Sequence, residues 1–141
     1  MLKKILVATD GSEYSRRAFK TALELANAVK TEIILLNVRF TPEPLGYKLS
    51  NGSTVPQDQS NITGEQALSA TLAGIDTSDI LIKKKEKPGS PAQVILEEIE
   101  NEDIDLVVMG SRGYGAITGA LLGSVSQRVL QRAGCPVLIV K

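Results

Sequence analysis

The chain alternates between short apolar runs and longer amphipathic stretches. The apolar runs occupy residues 5–9, 33–38, 80–83, 106–109 and 137–140. Most of them are continuous rather than alternating, which is typical of strands that are covered on both faces of a parallel sheet. The pattern therefore predicts five strands, each flanked by segments of a different period.

Between these runs, hydrophobic residues recur with the period of an α-helix. The pattern predicts helices over 12–30, 61–74, 90–102 and 124–133, with Ser12 and Ser90 as N-caps and with Val29 and Leu130 on the buried stripes. The order β-α-β-loop-α-β-α-β-α-β predicts an α/β fold, an open five-stranded parallel sheet with helices on both faces. At 141 residues, the chain is expected to form one domain over 1–141.

Two segments depart from this rhythm. Residues 39–60 are too long for an ordinary connection and are rich in Pro, Gly, Ser and Asn, which predicts either a lid or, more simply, a variable surface loop. The run IKKKEKPG lies at the end of the third predicted strand and is interpreted as a solvated edge that resists aggregation. Nucleic-acid binding by this run is disfavoured, because no aromatic residue accompanies its charges.

Composition removes several classes of protein. Lys+Arg and Asp+Glu each number 16, so no global charge points to nucleic acid or to an anionic membrane. Histidine is absent, which excludes Ser-His-Asp and Cys-His catalysis, and the single cysteine excludes an internal disulfide or a Cys-rich zinc site. No signal peptide or apolar run of membrane length is found, so we expect a cytoplasmic protein without membrane or nucleic-acid partners.

The candidate chemistry is concentrated in VVMGSRGYGAITGALLGSVSQRVL, residues 107–130, which holds five of the twelve glycines. The stretch contains neither a Walker loop nor a dinucleotide fingerprint, because no lysine precedes Ser124 and the glycine spacing is wrong. The feature by which those motifs bind phosphate is still present, because Gly123-Ser124 opens a helix whose free N–H groups favour an anion. Arg112 and the hydroxyl of Ser126 would add further donors. A glycine-rich loop that holds no ligand is the alternative left open.

The position of this loop in the predicted sheet also favours a ligand site. Open parallel sheets bind ligands beyond the carboxyl ends of their strands, where the strand order reverses. If the order is 3-2-1-4-5, the crevice lies between the first and fourth strands. The first strand ends in ATDGS and the fourth in MGSRG, so both segments would emerge at one place.

The spacing Gly110-x-x-Gly113, nine residues, Gly123-Ser124 resembles the ATP-binding signature of the universal stress protein family. The segments ILVATDGSEYSRRAF, DLVVMGSRG and SVSQRVLQRAGCPVLIV agree with it, so the resemblance covers essentially the whole chain. It implies the five-stranded 3-2-1-4-5 sheet and places this chain with the nucleotide-binding branch of the family.

The resemblance also implies a role for each matching position. The backbone of Val38 would read the adenine edge, with Ala8 and Thr9 beneath the base, and Asp10 would serve the ribose or a phosphate-bound metal. Met109 and Gly110 would line the ribose. The phosphates would be surrounded by Arg112, Gly113, Gly123, Ser124, Val125 and Ser126. Many relatives carry His at position 112, and the permanent charge of arginine favours phosphate pairing over a pH switch.

These expectations favour a regulatory, stress-response protein that binds ATP, or AMP or ADP, with Mg²⁺ on the phosphates. One alternative is a slow ATPase or phosphotransferase, although no second carboxylate stands near the loop in the sequence. The other is an interaction module in which nucleotide is incidental. The resemblance further implies a homodimer through Val137–Val140, an apolar run at the edge of the sheet.

Overall fold

The computed structural model describes residues 2–40, 62–114 and 121–141. Five strands alternate with four helices along this part of the chain. The strands are β1 (Lys4–Ala8), β2 (Glu32–Phe40), β3 (Ile82–Gly89), β4 (Leu106–Gly110) and β5 (Val137–Val140). The helices are α1 (Glu13–Val29), α2 (Gly64–Leu72), α3 (Pro91–Asn101) and α4 (Ser124–Arg132).

All neighbouring strands are parallel, and the sheet order is β3-β2-β1-β4-β5. This confirms the predicted fold class and the order 3-2-1-4-5. The central strand β1 pairs with β2 over its whole length, from Lys4 opposite Glu32 to Ala8 opposite Leu36. On its other side β1 pairs with β4, from Ile5 opposite Leu106. The chain therefore reverses its direction of winding between β1 and β4.

The sheet separates two hydrophobic layers. Alternate residues of β1, such as Ile5 and Val7, face α1 and α2, and Phe19 of α1 is fully buried among them. The opposite side of β1, with Leu6, faces α3 and α4, where Val129 is fully buried. Because both faces are covered, the central strands are continuous apolar runs, as the sequence indicated.

Side chains close the starts of α1 and α2. The Ser12 hydroxyl accepts a hydrogen bond from the Ser15 N–H at 3.3 Å, which confirms Ser12 as the cap of α1. Thr63 and Gln66 form a reciprocal capping box at the start of α2. Ser90 does occupy the N-cap position of α3, before Pro91, but its side chain makes no capping hydrogen bond.

The prediction for the third strand was wrong in its bounds. The sequence pattern placed the strand at 80–83 and the charged run after it, whereas the charged run is itself β3, Ile82–Gly89. This edge strand is far from uniformly solvated. Lys85 Nζ and Lys87 Nζ each donate to Glu98 of α3 at 2.6 Å, and the Glu98 side chain is fully buried. The two lysines therefore hold the edge strand against α3, the helix that covers it.

Three smaller expectations also need correction. Strand β2 continues to Phe40, because it pairs with β3 as far as Gly89, so positions 39 and 40 belong to the strand and not to the predicted loop. The rest of that predicted lid, 41–60, lies outside the described residues. Val29 and Leu130, predicted to be buried, are 48% and 45% exposed. Val29 is the last residue of α1, and Leu130 follows the buried Val129 on α4.

Candidate functional site

The carboxyl ends of β1 and β4 lie side by side at the point where the strand order reverses. Residues 9–12 leave β1 and lead into α1, while residues 111–114 leave β4. In parallel α/β sheets this switch point is where the two connecting loops diverge and leave a crevice. The structure therefore brings together the two segments that the sequence analysis singled out.

Asp10 organises the turn between β1 and α1. Its Oδ1 accepts hydrogen bonds from Ser12 N and from Ser15 Oγ, both at 2.9 Å. Gly11, the next residue, has a φ of +87°, which a residue with a Cβ rarely adopts. The carboxylate is thus held by the first turn of α1, and one of its oxygens is left facing the β4 loop.

The β4 loop lies directly on this turn. Tyr114 N donates to Asp10 Oδ2 at 3.0 Å, and Tyr114 Oη donates to the carbonyl oxygen of Gly11 at 2.9 Å. A Cβ on Gly113 would collide with Asp10 Oδ2. Close approach of backbone to carboxylate explains the glycine at position 113 without any ligand.

The start of α4 presents N–H groups toward the same loop. Gly123 is its N-cap, and no side chain caps the helix. Gly123 N donates to the carbonyl oxygen of Ser111 at 2.7 Å, which ties the helix start to the end of β4. Ser126 is buried and its Oγ donates to the Gly110 carbonyl at 2.8 Å, whereas Ser124 is exposed. The N–H groups at the start of an uncapped helix attract an anion.

Arg112 is the cation beside this helix start. It is half-buried, and its Nε is buried with no hydrogen-bond partner in the described part of the chain. A buried guanidinium donor without a partner carries a free-energy cost of about 1–3 kcal/mol, which an incoming acceptor would remove. Its Cα lies 3.6 Å from the position that a Cβ on Gly123 would take. Arg112 and the start of α4 are therefore close neighbours.

The three signature glycines have different surroundings. A Cβ on Gly110 would come within 2.8 Å of the Tyr14 backbone, so this glycine is required for packing of β4 against α1. Among the atoms of the described residues, a Cβ on Gly123 would meet none closer than 3.6 Å. Contacts among the described residues therefore explain why positions 110 and 113 are glycine. They do not explain the glycine at position 123.

At the end of β2, backbone groups extend past the last residue of the neighbouring strand β1. Thr9 N donates to the Leu36 carbonyl at 2.9 Å, so alternate residues of β2, including Val38, direct their N–H and C=O toward the β1 side. Strand β1 ends at Ala8, opposite Leu36. Among the described residues, no strand reaches Val38 on that side. Its N–H and C=O form a donor and acceptor pair at the mouth of the crevice.

The remaining predicted residues contribute structure around the crevice. The Met109 side chain is buried in the layer under α3 and α4, and Ala8 packs against the same layer. Thr9 is buried, and its Oγ1 lies 2.6 Å from Thr71 Oγ1 of α2. Val125 is half-buried against the α3 and α4 layer. The described contacts of these side chains are with the layers on the two sides of the sheet.

Sequence reasoning missed two positioning side chains. Asn37 is buried within an apolar run, and its Nδ2 donates to the Thr9 carbonyl at 2.9 Å. The polar residue inside IILLNV was the signal that could have found it, because buried amides need partners. Tyr114 was also overlooked, since nothing in the sequence shows where a loop tyrosine is anchored.

Two sizeable cavities lie away from this crevice. One, of about 490 Å³, is at the opposite end of the sheet and is lined by residues such as Val29, Thr31 and Leu81. The other, of about 350 Å³, lies between α3 and α4, with Arg128 and Arg132 in its wall. Neither is lined by a residue of the candidate site, and neither gathers the donors found at the start of α4. The convergence of polar groups therefore favours the crevice over these two cavities as the candidate site.

Two further features limit the chemistry of the described residues. They contain no group of three or more Asp, Glu, His or Cys side chains that could hold a metal ion. In the same residues, no helix is both long enough and apolar enough to cross a membrane.

A parallel 3-2-1-4-5 sheet with a glycine loop and an uncapped helix start at its switch point defines an α/β domain of the Rossmann-like class. The model of the universal stress protein family matches residues 1–141, and the chain belongs to that family. A universal stress protein of Thermus aquaticus is 34% identical over 142 residues, covering all of both chains. One from Methanocaldococcus jannaschii is 32% identical over 141 residues, which is all of this chain and 83% of the relative.

Solved structures agree with this assignment. A universal stress protein from Lactobacillus plantarum superposes with a TM-score of 0.71 at 25% identity, covering 99% of this chain and 97% of that one. A universal stress protein crystallised in complex with cAMP superposes with a TM-score of 0.67 at 27% identity, covering 99% and 96%.

Proposed function

We propose that this protein binds an adenine nucleotide, ATP or its products ADP and AMP, at the crevice between β1 and β4 and acts as a regulatory protein. The observation that carries the proposal is the start of α4: an uncapped helix, an open Cβ position at Gly123, and the partnerless Nε of Arg112 beside it. Together these groups form an anion site. The cAMP complex of a relative supports an adenine nucleotide as the ligand.

The phosphates lie at the start of α4 in this proposal. The N–H groups of Ser124, Val125 and Ser126 point along the helix axis toward them, and the exposed Ser124 hydroxyl adds a donor. Arg112 supplies the compensating positive charge. From Leu106 to the end the sequence contains no acidic residue, so nothing in that quarter repels an anion.

The base and the ribose lie nearer to β1 and β2. The N–H and C=O of Val38, which lie beyond the end of β1, match the donor and acceptor on the adenine edge, and Ala8 and Thr9 form the floor beneath the base. Backbone atoms of Met109 and Gly110 line the ribose, since the Met109 side chain is buried on the other side of β4. In this arrangement, recognition rests on backbone groups held by the sheet.

Magnesium accompanies the phosphates in this proposal and is held mainly by them and by water. The described residues supply no acidic cluster for it, and its contribution when bound is to neutralise phosphate charge. The same lack of a second carboxylate near the loop favours a binding protein over a fast phosphotransferase. Nucleotide occupancy would then stabilise one state of the β4 loop.

Calorimetry and thermal melting with matched alanine variants test the nucleotide site. Gly123→Ala is expected to weaken ATP and AMP binding at least tenfold. Because its Cβ has room, the melting temperature of the free protein should fall only by the few degrees that alanine at an N-cap costs. Gly134→Ala is the control: its Cβ also meets nothing within 4 Å, and it lies outside the signature. A ligand at a hundred times its Kd adds about 2.7 kcal/mol of stability. The proposal fails if unchanged protein shows neither heat nor a melting shift with ATP, ADP or AMP.

We also propose that the protein is a homodimer through β5. Because the Val140 carbonyl accepts from the N–H of Ser111, the residue after β4, the preceding residue Ile139 directs its N–H and C=O toward the open edge of the sheet. An open edge strand can pair antiparallel with its own copy across a two-fold axis. Leu138 is 37% exposed on this strand, which leaves apolar surface for a partner.

Light scattering of charged variants tests the dimer. Leu138→Lys should convert the dimer into monomers at micromolar concentration, because it places two charges close to the two-fold axis. Val29→Lys is the control, since this residue is similarly exposed but lies at the far end of α1. A monomeric unchanged protein, or a Leu138→Lys variant that remains dimeric, would overturn the assignment.

A further inference from the structure

Two buried threonine hydroxyls join α2 to the turn that follows β1. Thr9 Oγ1 lies 2.6 Å from Thr71 Oγ1, and the Thr71 hydroxyl donates to the carbonyl oxygen of Ala67 at 2.8 Å. Thr71 is fully buried, and Thr9 is 5% exposed. A hydroxyl has one proton to donate, so Thr9 is the donor in its contact with Thr71. We call this Thr9–Thr71 hydrogen bond the threonine bridge.

The threonine bridge continues into the turn that borders the crevice. Gly11 N donates to Thr9 Oγ1 at 3.0 Å, so the Thr9 hydroxyl contacts both the turn and α2. The backbone of Thr9 is fixed by β2, because its N–H donates to the Leu36 carbonyl and its carbonyl accepts from Asn37 Nδ2, both at 2.9 Å. Loss of the Thr71 acceptor would therefore act on the Thr9 hydroxyl and, through it, on Gly11.

The helix α2 also contacts the turn and α1 directly. A Cβ on Gly11 would lie 3.1 Å from Ala67 Cα, so the backbone of the turn packs against the helix. Arg16 of α1 donates through Nη1 to the Ala70 carbonyl at 3.1 Å and to the Thr71 carbonyl at 3.4 Å. It supplies a cation at the C-terminal end of α2, whose last turn contains no basic residue. The turn after β1 and the start of α1 together form the surface on which α2 docks.

The helix α2 depends on this surface because it is short. It has nine residues, and isolated helices of fewer than about 12–15 residues are marginal in water. Ala67 and Leu68 are its buried hydrophobic residues, and Leu72 is partly buried beside them. A short helix with few buried hydrophobic side chains is the kind of element that opens without global unfolding.

From these contacts we propose that Thr71 is a positioning residue for the turn that borders the crevice, and that nucleotide binding and the docking of α2 stabilise each other. The inference rests on the nucleotide-binding function proposed above, and it names α2 as the element whose opening the ligand controls. When α2 opens, residues 9–11 lose the Thr71 acceptor and the surface of Ala67. A ligand that binds only when this turn is in place makes the opening rarer, and the coupling is reciprocal.

Hydrogen exchange measured by NMR tests the coupling. In the free protein, the amides of α2 should exchange faster than those of β1 and β4, because α2 opens locally. AMP at a hundred times its Kd should slow exchange in α2 about a hundredfold, since the open form no longer binds the ligand. The last turn of α3, near Asn101, is the control and should not respond. Exchange of α2 at the rate of β1 in the free protein, or an α2 rate that saturating AMP does not change, would overturn the coupling.

Two variants of Thr71 separate the hydroxyl from the packing of its side chain. Thr71→Val keeps the shape and removes the hydrogen bonds, whereas Thr71→Ser keeps the hydroxyl and loses a methyl group. Thr71→Val should weaken AMP binding by about 2- to 10-fold, the worth of one hydrogen bond, and should reduce the slowing of α2 at a fixed AMP concentration by the same factor. Thr71→Ser should retain both, as should the control Ser69→Ala on the exposed side of α2. Equal AMP affinities of the Val and Ser variants would show that Thr71 only packs, and its positioning role would fall.

A last measurement needs no nucleotide. The Gly11 amide should be protected from exchange in the free protein, and Thr71→Val should reduce that protection more than Thr71→Ser does. An unprotected Gly11 amide in the unchanged protein would refute the threonine bridge even if nucleotide binds. If no adenine nucleotide binds to the unchanged protein, the proposed function falls and the coupling falls with it. If AMP binds normally to Thr71→Val and the Gly11 amide is unaffected, the inference falls and the proposed function stands.

Discussion

The contact between β3 and α3 provides a quantitative test of how the charged edge strand is held. The Glu98 carboxylate is fully buried, and each of its oxygens accepts a hydrogen bond at 2.6 Å, from Lys85 and from Lys87. The Lys85 ammonium also reaches Glu102 at 2.9 Å. We consider Glu98→Gln, which keeps the shape of the side chain and removes its charge.

The size of the effect follows from the partners. A hydrogen bond to a charged group contributes about 1.5–3 kcal/mol, and glutamine leaves an NH₂ group facing one of the two ammonium groups. Removing one member of a fully buried pair costs about 3–5 kcal/mol. The Lys85 and Lys87 side chains are 26% and 40% exposed, so they can turn toward water and the upper range does not apply. We expect Glu98→Gln to lower the free energy of unfolding by about 2 kcal/mol at pH 7.

The effect should disappear in acid. Burial opposes ionisation of Glu98, but the hydrogen bonds and charges of Lys85 and Lys87 outweigh it and hold its pKa below the ordinary value of 4.5. A carboxyl whose pKa is lowered on folding stabilises the protein above the unfolded pKa, and this stabilisation is lost as the pH falls through the folded pKa. The difference between Glu98→Gln and the unchanged protein should therefore be constant from neutral pH down to 4.5 and narrow below it.

Urea unfolding of both proteins across this pH range is the assay, with Glu100→Gln as control. Glu100 lies on the exposed side of the same helix, so its substitution should change the unfolding free energy by no more than about 0.5 kcal/mol. With an m-value of about 1–3 kcal/mol/M, a loss of about 2 kcal/mol moves the midpoint by roughly 1 M. Equal midpoints at pH 7, or a difference that does not change below pH 4.5, would refute the reasoning.

Three further substitutions test the packing around the site by thermal or urea unfolding. Gly110→Ala should destabilise the protein by about 1–3 kcal/mol, because its Cβ would come within 2.8 Å of the Tyr14 backbone; an unchanged midpoint would contradict this close packing. Asn37→Ala should cost about 1–3 kcal/mol, since it leaves the Thr9 carbonyl without its buried donor, and a neutral result would mean that water replaces the amide. Lys30→Gly should stabilise by about 0.5–1 kcal/mol, because Lys30 ends α1 with a φ of +57°, and destabilisation would argue against that conformation.

The fold could be predicted because most strands are buried on both faces. A continuous run such as Leu106–Met109 has few other stable placements once helices flank it, and this reasoning recovers the sheet and its class. It fails for β3, where most side chains on both faces of the strand are charged. The sequence pattern indicates surface positions for Lys85 and Lys87, because their partner, Glu98, lies on a helix further along the chain. Burial of an ion pair leaves no local signature in the sequence of either element.

The candidate site was predicted in its location and only in part in its contacts. Strand order places the loops after β1 and β4 together, so Asp10 and Arg112 could be assigned to one region without coordinates. What a particular side chain contacts there depends on sub-ångström details of two loops. The anchoring of Tyr114 on Asp10 and Gly11 is of this kind, because it joins positions whose spacing in the sequence carries no information.

The three signature glycines show that a sequence motif does not by itself demonstrate ligand binding. Gly110 and Gly113 are fixed by contacts with Tyr14 and Asp10, so their presence reports the packing of two loops whether or not a ligand binds. Gly123 alone has space for a side chain in the free protein. Substitution of Gly110 or Gly113 should disturb the packing of the two loops and, with it, the proposed nucleotide binding. Substitution of Gly123 should mainly lower the affinity for the nucleotide. Position 123 is therefore the one at which substitution distinguishes a phosphate site from a structural turn.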